Sequence, residues 1–135
     1  MTKDQTAQAR ELLGEPSDLR IVRDGDRDIQ SKGWKIGEGD SRDHLGHGTP
    51  RSDANRWTTI TIYLTTGGNL LARIVRRTRW QGERDRDDAK VCRTPAEALA
   101  FLCEGGDLGG ASKDAWEMAC QEWPPLAAEE CEVVE

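Results

Sequence analysis

The chain has 135 residues, of which 36% are hydrophobic and 33% are charged, and its formal net charge is −6. This length fits a single domain, residues 1–135, and the modest apolar fraction predicts a core that does not engage the whole chain. No apolar run approaches the ~20 residues needed to cross a membrane. The negative net charge argues against a general nucleic-acid binder, because such proteins usually carry a basic surface.

Charge is unevenly distributed along the chain. The net charge is −2 over residues 1–50, +4 over residues 51–100 and −8 over residues 101–135. The two opposed regions could orient the protein against a partner, or they could neutralise each other in the fold. The amino terminus lacks the apolar segment of a secretory signal. We therefore expect a cytoplasmic protein whose four cysteines are reduced thiols.

In the first half of the chain the residue pattern predicts a helix, a hairpin and a loop. Residues 4–13 favour a helix that ends at a glycine. Residues 18–22 and 29–36 then alternate as strands on either side of an Asp-Gly turn. Residues 37–56 contain one large apolar side chain and many Gly, Ser and Asp, so they are expected to form a flexible loop.

Residues 57–80 predict a second β-hairpin, and its register can be argued in detail. A three-residue loop at 66–68, with Gly68 in the left-handed conformation, brings apolar residues into register on one face. The predicted pairs are Leu64 with Leu70, Ile62 with Ala72, and Ile60 with Ile74. A two-residue turn would instead place Ile62 against Arg73, and a slip of one residue exchanges the two faces. The three-residue loop is therefore preferred.

The remaining segments predict helices and an acidic tail. Residues 81–90 resemble a charged loop, and residues 91–92 a short edge strand. Thr94, Pro95 and Glu97 carry the pattern of a helix start, which predicts a helix to about residue 103. A further helix is expected from a Ser112 cap to the Pro-Pro pair at 124–125, before an acidic tail at 126–135.

Together these elements predict an α+β fold. We expect a four-stranded antiparallel sheet, made of two hairpins, with an amino-terminal helix and two carboxyl-terminal helices packed on one face.

The sequence gives little support for a metal site, a cofactor or catalysis. Asp24, Asp26 and Asp28 alternate as in a calcium loop, but the glycine and the glutamate of that pattern are missing. His44 and His47 are the only histidines, and the cysteines are not in the close pairs typical of zinc sites. No nucleophile motif is present. We expect no metal, no cofactor and no enzymatic activity.

The second face of the 57–80 hairpin is one candidate binding surface. It carries Trp57, Tyr63, Arg73 and Arg77, a combination that can stack bases and contact phosphates. The same residue types also anchor protein interfaces. In a third interpretation the arginine stems cover a second apolar layer, and their heads pair with Glu83, Asp85, Asp87 and Asp88.

The acidic carboxyl-terminal third is the other candidate surface. Its carboxylates belong to Glu117, Glu122, Glu129, Glu130 and Glu132. They could enter a groove that normally receives nucleic-acid phosphates. The hairpin arginines could then contact an acidic surface or another copy of the chain, as a homodimer.

In size, charge and absence of catalytic motifs the chain is similar to inhibitors of nucleic-acid machinery carried by phages or mobile elements, such as anti-CRISPR proteins. This analogy implies a small acidic protein-binding inhibitor or regulator of a larger nucleic-acid-processing complex. The alternative is a nucleic-acid-binding regulator that uses the Arg and aromatic face of the hairpin.

Overall fold

The computed structural model describes residues 3–45, 48, 50, 54–103 and 109–126. The chain order of its elements is α1 (Lys3–Leu13), β1 (Ser17–Ile21), β2 (Ile29–Asp40), a short 3-10 helix (Ser41–His44), β3 (Arg56–Thr65), β4 (Leu70–Thr78), β5 (Arg86–Cys92), α2 (Pro95–Cys103) and α3 (Gly110–Glu122). Among these residues no helix has the length and hydrophobicity of a membrane span.

The five strands form one antiparallel sheet in the order of the chain, β1-β2-β3-β4-β5. The predicted α+β class is confirmed, but the expectation of four strands is wrong. The second half of the charged segment predicted as a loop at 81–90 is part of β5, which pairs with β4 from Leu70–Cys92 to Arg76–Arg86. Charged side chains are compatible with this strand because it lies at the edge of the sheet, where much of it meets solvent.

The loop predicted at 37–56 starts later in the structure than expected. Strand β2 continues through Asp40, and the 3-10 helix follows it. Glycines such as Gly37 and Gly39 are common in loops, which is why a loop was expected here. In the structure, their lack of a side chain allows α3 to lie directly on the strand. A Cβ atom on Gly37 would overlap the carbonyl oxygen of Ala115, and one on Gly39 would overlap that of Ala111. Glycine is needed in this strand for close approach, one of its established uses.

The predicted register of the β3–β4 hairpin is confirmed. Leu64 pairs with Leu70, and Ile60 pairs with Ile74. Gly68 has a φ of 88°, so it takes the left-handed conformation expected for the loop. The apolar residues of both strands therefore share one face of the sheet.

The three α-helices of the described residues pack on that face, as predicted. The main core joins Ala9 of α1 and Leu102 of α2 to the buried residues of the sheet. Ala115, Trp116 and Ala119 of α3 belong to the same cluster. The α2 start is also as expected, since Thr94 Oγ1 accepts from the Glu97 amide at 3.2 Å and Glu97 accepts from the Arg93 amide at 3.1 Å.

Two predicted helix and tail boundaries need correction. Gly109, and not Ser112, precedes the first turn of α3. Ser112 is buried inside the helix, where its hydroxyl donates to the Leu102 carbonyl at 3.4 Å and so joins α3 to α2. Leu126 is 2% exposed and belongs to the core, while the rest of the predicted tail, 127–135, lies outside the described residues.

The other face of the sheet curls inward and buries a second, smaller cluster. Ile21 and Ile29 from one edge of the sheet pack with Leu71 and Ala89 from the opposite side. The loop after β1 reaches across to β5, because the Asp24 amide donates to the Asp87 carbonyl and the Asp87 amide donates to the Asp24 carboxylate, both at 2.8 Å. These bonds fix the curl and position the strand ends that form the candidate site.

Candidate functional site

The helical layer covers only part of its sheet face and leaves one end of β3, β4 and β5 open. Ile60 and Ile74 are the last buried pair. The next row on the same face consists of Thr58, Arg76 and Arg86, which are half-buried or exposed. Side chains two residues apart on a strand share a face. This row therefore lies on the same face as the apolar core residues, but its side chains are polar.

This end of the sheet borders an open pocket of about 500 Å³, called here the arginine pocket. Five arginines and a single glutamate are among its lining residues, together with hydroxyl groups and one aromatic ring. The lining residues are Ser41, Arg56, Trp57, Thr58, Arg76, Arg77, Thr78, Glu83, Arg84 and Arg86. Three of these arginines are in ion pairs, Arg56 with Glu83, Arg77 with Asp85 and Arg84 with Asp24. The lining residues themselves still include more arginines than acids, in a protein whose net charge is −6.

Two of these arginines are cross-strand partners. Arg76 of β4 pairs in register with Arg86 of β5. Like charges directly opposite on neighbouring strands destabilise a sheet. An anion between or beside them would relieve the repulsion, and guanidinium groups suit phosphate and carboxylate oxygens because they can donate two parallel hydrogen bonds.

The acid in the pocket lining, Glu83, forms its main ion pair with Arg56 and is also stabilised in its charged form by Thr78 and Arg86. Arg56 Nε donates to Glu83 Oε1 at 3.0 Å, and Arg56 Nη2 donates to Oε2 at 2.9 Å. This bidentate hydrogen bond lowers the pKa of Glu83 and raises that of Arg56. Both groups are therefore charged near neutral pH, and the pair fixes the turn after β4 against the start of β3.

A second group of arginines surrounds Trp57. The guanidinium carbons of Arg42 and Arg79 lie 4.4 Å and 5.1 Å from the centre of its ring, within cation–π distance. Arg42 is itself fixed by Asp40, with Nη2–Oδ2 and Nε–Oδ1 distances of 2.8 Å and 3.0 Å, and this hydrogen bonding raises the pKa of Arg42. Trp57 therefore lines the pocket with its ring in contact with two arginine side chains.

Trp80 has a more exposed position in the same region. Its side chain is 52% exposed, and the Arg56 guanidinium lies 5.9 Å from its ring. Its backbone is tied into the turn, since the Trp80 amide donates to Thr78 Oγ1 at 3.1 Å and its carbonyl accepts from the Glu83 amide at 3.1 Å. An exposed indole therefore stands on a hydrogen-bonded turn next to the arginine pocket.

The four residues expected on the hairpin face lie on one side of the sheet, as the register requires, but only Trp57 and Arg77 reach the arginine pocket. Tyr63 packs against the second apolar cluster. Arg73 donates to Asp87 at 2.9 Å, and Arg77 lies 3.6 Å from Asp85 and donates to Thr59 at 3.2 Å. This arrangement agrees with the interpretation in which acids of the 83–88 segment pair with the hairpin arginines.

Sequence reasoning did not single out Arg56, Arg76, Arg84 and Arg86, although all four line the pocket. Arg56 was placed in the expected loop, and Arg84 and Arg86 in a charged loop. Their convergence depends on the pairing of β5 with β4, which the composition of β5 conceals. The available signal was the strand-like alternation of Arg86, Asp88 and Lys90 against Asp87 and Ala89.

The expected acidic surface is only partly within the described residues. Glu117 and Glu122 are exposed on the outer side of α3. Glu129, Glu130 and Glu132 lie outside the described residues.

The described residues contain no cluster of three His, Cys, Asp or Glu side chains that could hold a metal ion. Asp26 and Asp28 form ion pairs with Arg23 and Arg20, and Asp24 serves the contact with β5. His44 Nε2 lies 2.6 Å from Asp114 Oδ2, which connects the 3-10 helix to α3. His47 lies outside the described residues.

Among the described residues, Cys92, Cys103 and Cys120 form no disulfide bond. Cys92 is fully buried, and burial raises the pKa of its thiol. It therefore acts as a small apolar side chain of the core.

No protein-family model, curated protein or solved structure matches the chain significantly.

Proposed function

We propose that this protein is a non-enzymatic regulator that binds nucleic acid through the arginine pocket. The proposal rests on one observation, the meeting of five arginines and one glutamate around an open pocket at the uncovered end of the sheet. Phosphate groups are the most widespread ligands for such a set, because guanidinium donors match their oxygens in charge and in geometry.

The net negative charge of the chain does not oppose local binding of an anion. At physiological ionic strength the field of an exposed charge is screened within about 8 Å. The exposed carboxylates of Glu117 and Glu122 belong to α3, which packs mainly against β2. The arginine pocket lies instead at the β4–β5 end of the sheet, where five of the lining residues are arginines.

Within the pocket the arginines have different roles. Arg56 and Arg77 pair with Glu83 and Asp85 and so shape the pocket. Arg84 likewise pairs with Asp24, and Arg76 and Arg86 are cross-strand partners whose like charges favour an anion nearby. In this proposal Arg76 and Arg86 contact the nucleic-acid backbone.

The direct test is binding of a fluorescently labelled oligonucleotide at low salt to wild type and to the double variant Arg76→Glu, Arg86→Glu. We expect the double variant to lose at least about tenfold in affinity, since it replaces two attractive contacts by two repulsive ones. The matched control is Arg10→Glu with Arg93→Glu, which changes net charge equally at exposed residues that do not line the pocket. Equal losses in both variants would contradict the proposal.

A second candidate function is protein-binding inhibition or regulation of a nucleic-acid-processing complex through the acidic third. It is favoured by the exposed positions of Glu117 and Glu122 on α3. This function predicts that Glu117→Lys with Glu122→Lys weakens recovery of a protein complex from the native host, while Arg76→Glu with Arg86→Glu does not. The opposite pattern would favour the arginine pocket.

A further inference from the structure

We propose that the arginine pocket takes single-stranded nucleic acid and that Trp80 stacks on one of its bases. This inference rests on the proposed function and adds the substrate class and a binding residue to it. The observation that carries it is an indole that is 52% exposed, next to Arg56 at 5.9 Å, on a turn whose residue Glu83 lines the pocket.

Trp80 is suited to stacking because its backbone is held while its ring stays accessible. Two hydrogen bonds, from its amide to Thr78 and from the Glu83 amide to its carbonyl, fix the turn that carries it. Glu83 in turn holds Arg56 by a bidentate contact. A turn that is already ordered loses little conformational freedom on binding, so more of the stacking energy appears as affinity.

Trp57 does not offer the same opportunity. Arg42 and Arg79 both lie within cation–π distance of its ring, and its indole nitrogen is buried. A base would have to displace at least one of these guanidinium groups. Trp80 is therefore the aromatic residue of this region that can receive a base without rearrangement.

A single strand fits this combination better than a duplex. In a duplex the base faces are already stacked on one another, so a protein ring reaches them only by unstacking a step or flipping a base. A single strand presents base faces and phosphates together, and proteins bind it through cationic grooves that carry aromatic rings. A pocket of about 500 Å³ has the size of a small-ligand site and suits one or two nucleotides.

A second pocket adjoins the arginine pocket. This neighbouring pocket of about 280 Å³ shares Ser41 and Thr58 with it and runs to the start of α3 at Gly109 and Gly110.

The test compares a labelled single-stranded oligonucleotide, its duplex form and inorganic polyphosphate, each with wild type, Trp80→Ala, Trp80→Phe and the control Leu12→Ala. Leu12 is a similarly exposed apolar residue, 53% exposed, on α1. We expect wild type to prefer the single strand over the duplex, and Trp80→Ala to lose about tenfold for the single strand alone. Trp80→Phe should retain most of the affinity, and polyphosphate binding should not change in any variant.

The outcomes separate the two proposals. If wild type binds no oligonucleotide, the proposed function fails. If wild type binds single strand and duplex equally, the proposed function stands and the stacking inference is overturned. The same holds if Trp80→Ala and Leu12→Ala have equal affinity for the single strand. Quenching of tryptophan fluorescence by the single strand, reduced in Trp80→Phe, gives a second measurement should Trp80→Ala fold poorly.

Discussion

Arg76 on β4 and Arg86 on β5 are directly paired across the antiparallel sheet, in the first row that the helices leave uncovered. Such a pair weakens the strand contact that contains it. Its location beside Arg56 and Arg84 turns the end of the sheet into a cationic pocket. Binding sites commonly carry an arrangement that is unfavourable for stability and is compensated when the ligand binds.

Replacing one member of this pair should separate stability from binding. We expect Arg86→Thr to leave the free energy of unfolding unchanged within about 0.5 kcal/mol, or to raise it, because two like charges no longer face each other across the strands. Affinity for an oligonucleotide should fall at the same time. Urea unfolding and an anisotropy titration measure the two quantities. A loss of stability above about 1 kcal/mol would show instead that Arg86 has a structural role.

Removing the acid from the pocket lining should have the opposite effect on binding. We expect Glu83→Gln to raise oligonucleotide affinity by about threefold, since one repulsive charge near the phosphate is lost and Arg56 is released. Asp18→Asn, at an exposed acid on β1, is the control and should leave affinity nearly unchanged. Unchanged or weaker binding by Glu83→Gln would contradict the assignment of the pocket.

The Arg56–Glu83 pair also predicts a pH dependence. The pKa of Glu83 is lowered in the folded protein from 4.5 by the hydrogen bond from Arg56. The pair therefore stabilises the fold above about pH 4.5 and loses this contribution as the pH falls through the lower folded value. At neutral pH the free energy of unfolding of Glu83→Gln should consequently be lower than that of wild type. As the pH falls, it should decrease less steeply than that of wild type, which acid unfolding measures.

The packing of α3 on β2 is tested at Gly39. We expect Gly39→Ala to lower the free energy of unfolding by about 1–3 kcal/mol, because its Cβ would overlap the Ala111 carbonyl and force the helix outward. Gly67→Ala is the matched control, since its added atom meets nothing closer than Thr65 Oγ1 at 3.9 Å. Denaturant unfolding compares the two. Equal stability of both variants would mean that α3 lies farther from β2.

Much of the fold can be predicted from the sequence where local rules decide. The β3–β4 register followed from the alternation of Ile60, Ile62 and Leu64 and from a loop that needs a glycine at residue 68. The start of α2 followed from the hydrogen-bonding pattern of Thr94 and Glu97. In both cases residues close in sequence determine the structure.

Prediction failed where distant contacts override composition. Gly37 and Gly39 look like loop residues until α3 is placed against them. Likewise Asp87 resembles a loop residue by its type. Its backbone amide and carbonyl, however, both form hydrogen bonds with Asp24 from across the curled sheet. The candidate site was recognised as basic and aromatic from Trp57 and Arg77. Its main arginines could not be grouped before β5 was known to be a strand.

The salt dependence of oligonucleotide binding tests the central claim most directly. For a single strand, log affinity falls against log salt with a slope of about −0.7 for each neutralised phosphate. We predict a clear negative slope for wild type that becomes shallower by about 1.4 in Arg76→Ala with Arg86→Ala, as two phosphate contacts are lost. The slope of Arg10→Ala with Arg93→Ala should equal that of wild type. No binding at low salt, or the same slope in all three proteins, would contradict nucleic-acid binding by the arginine pocket.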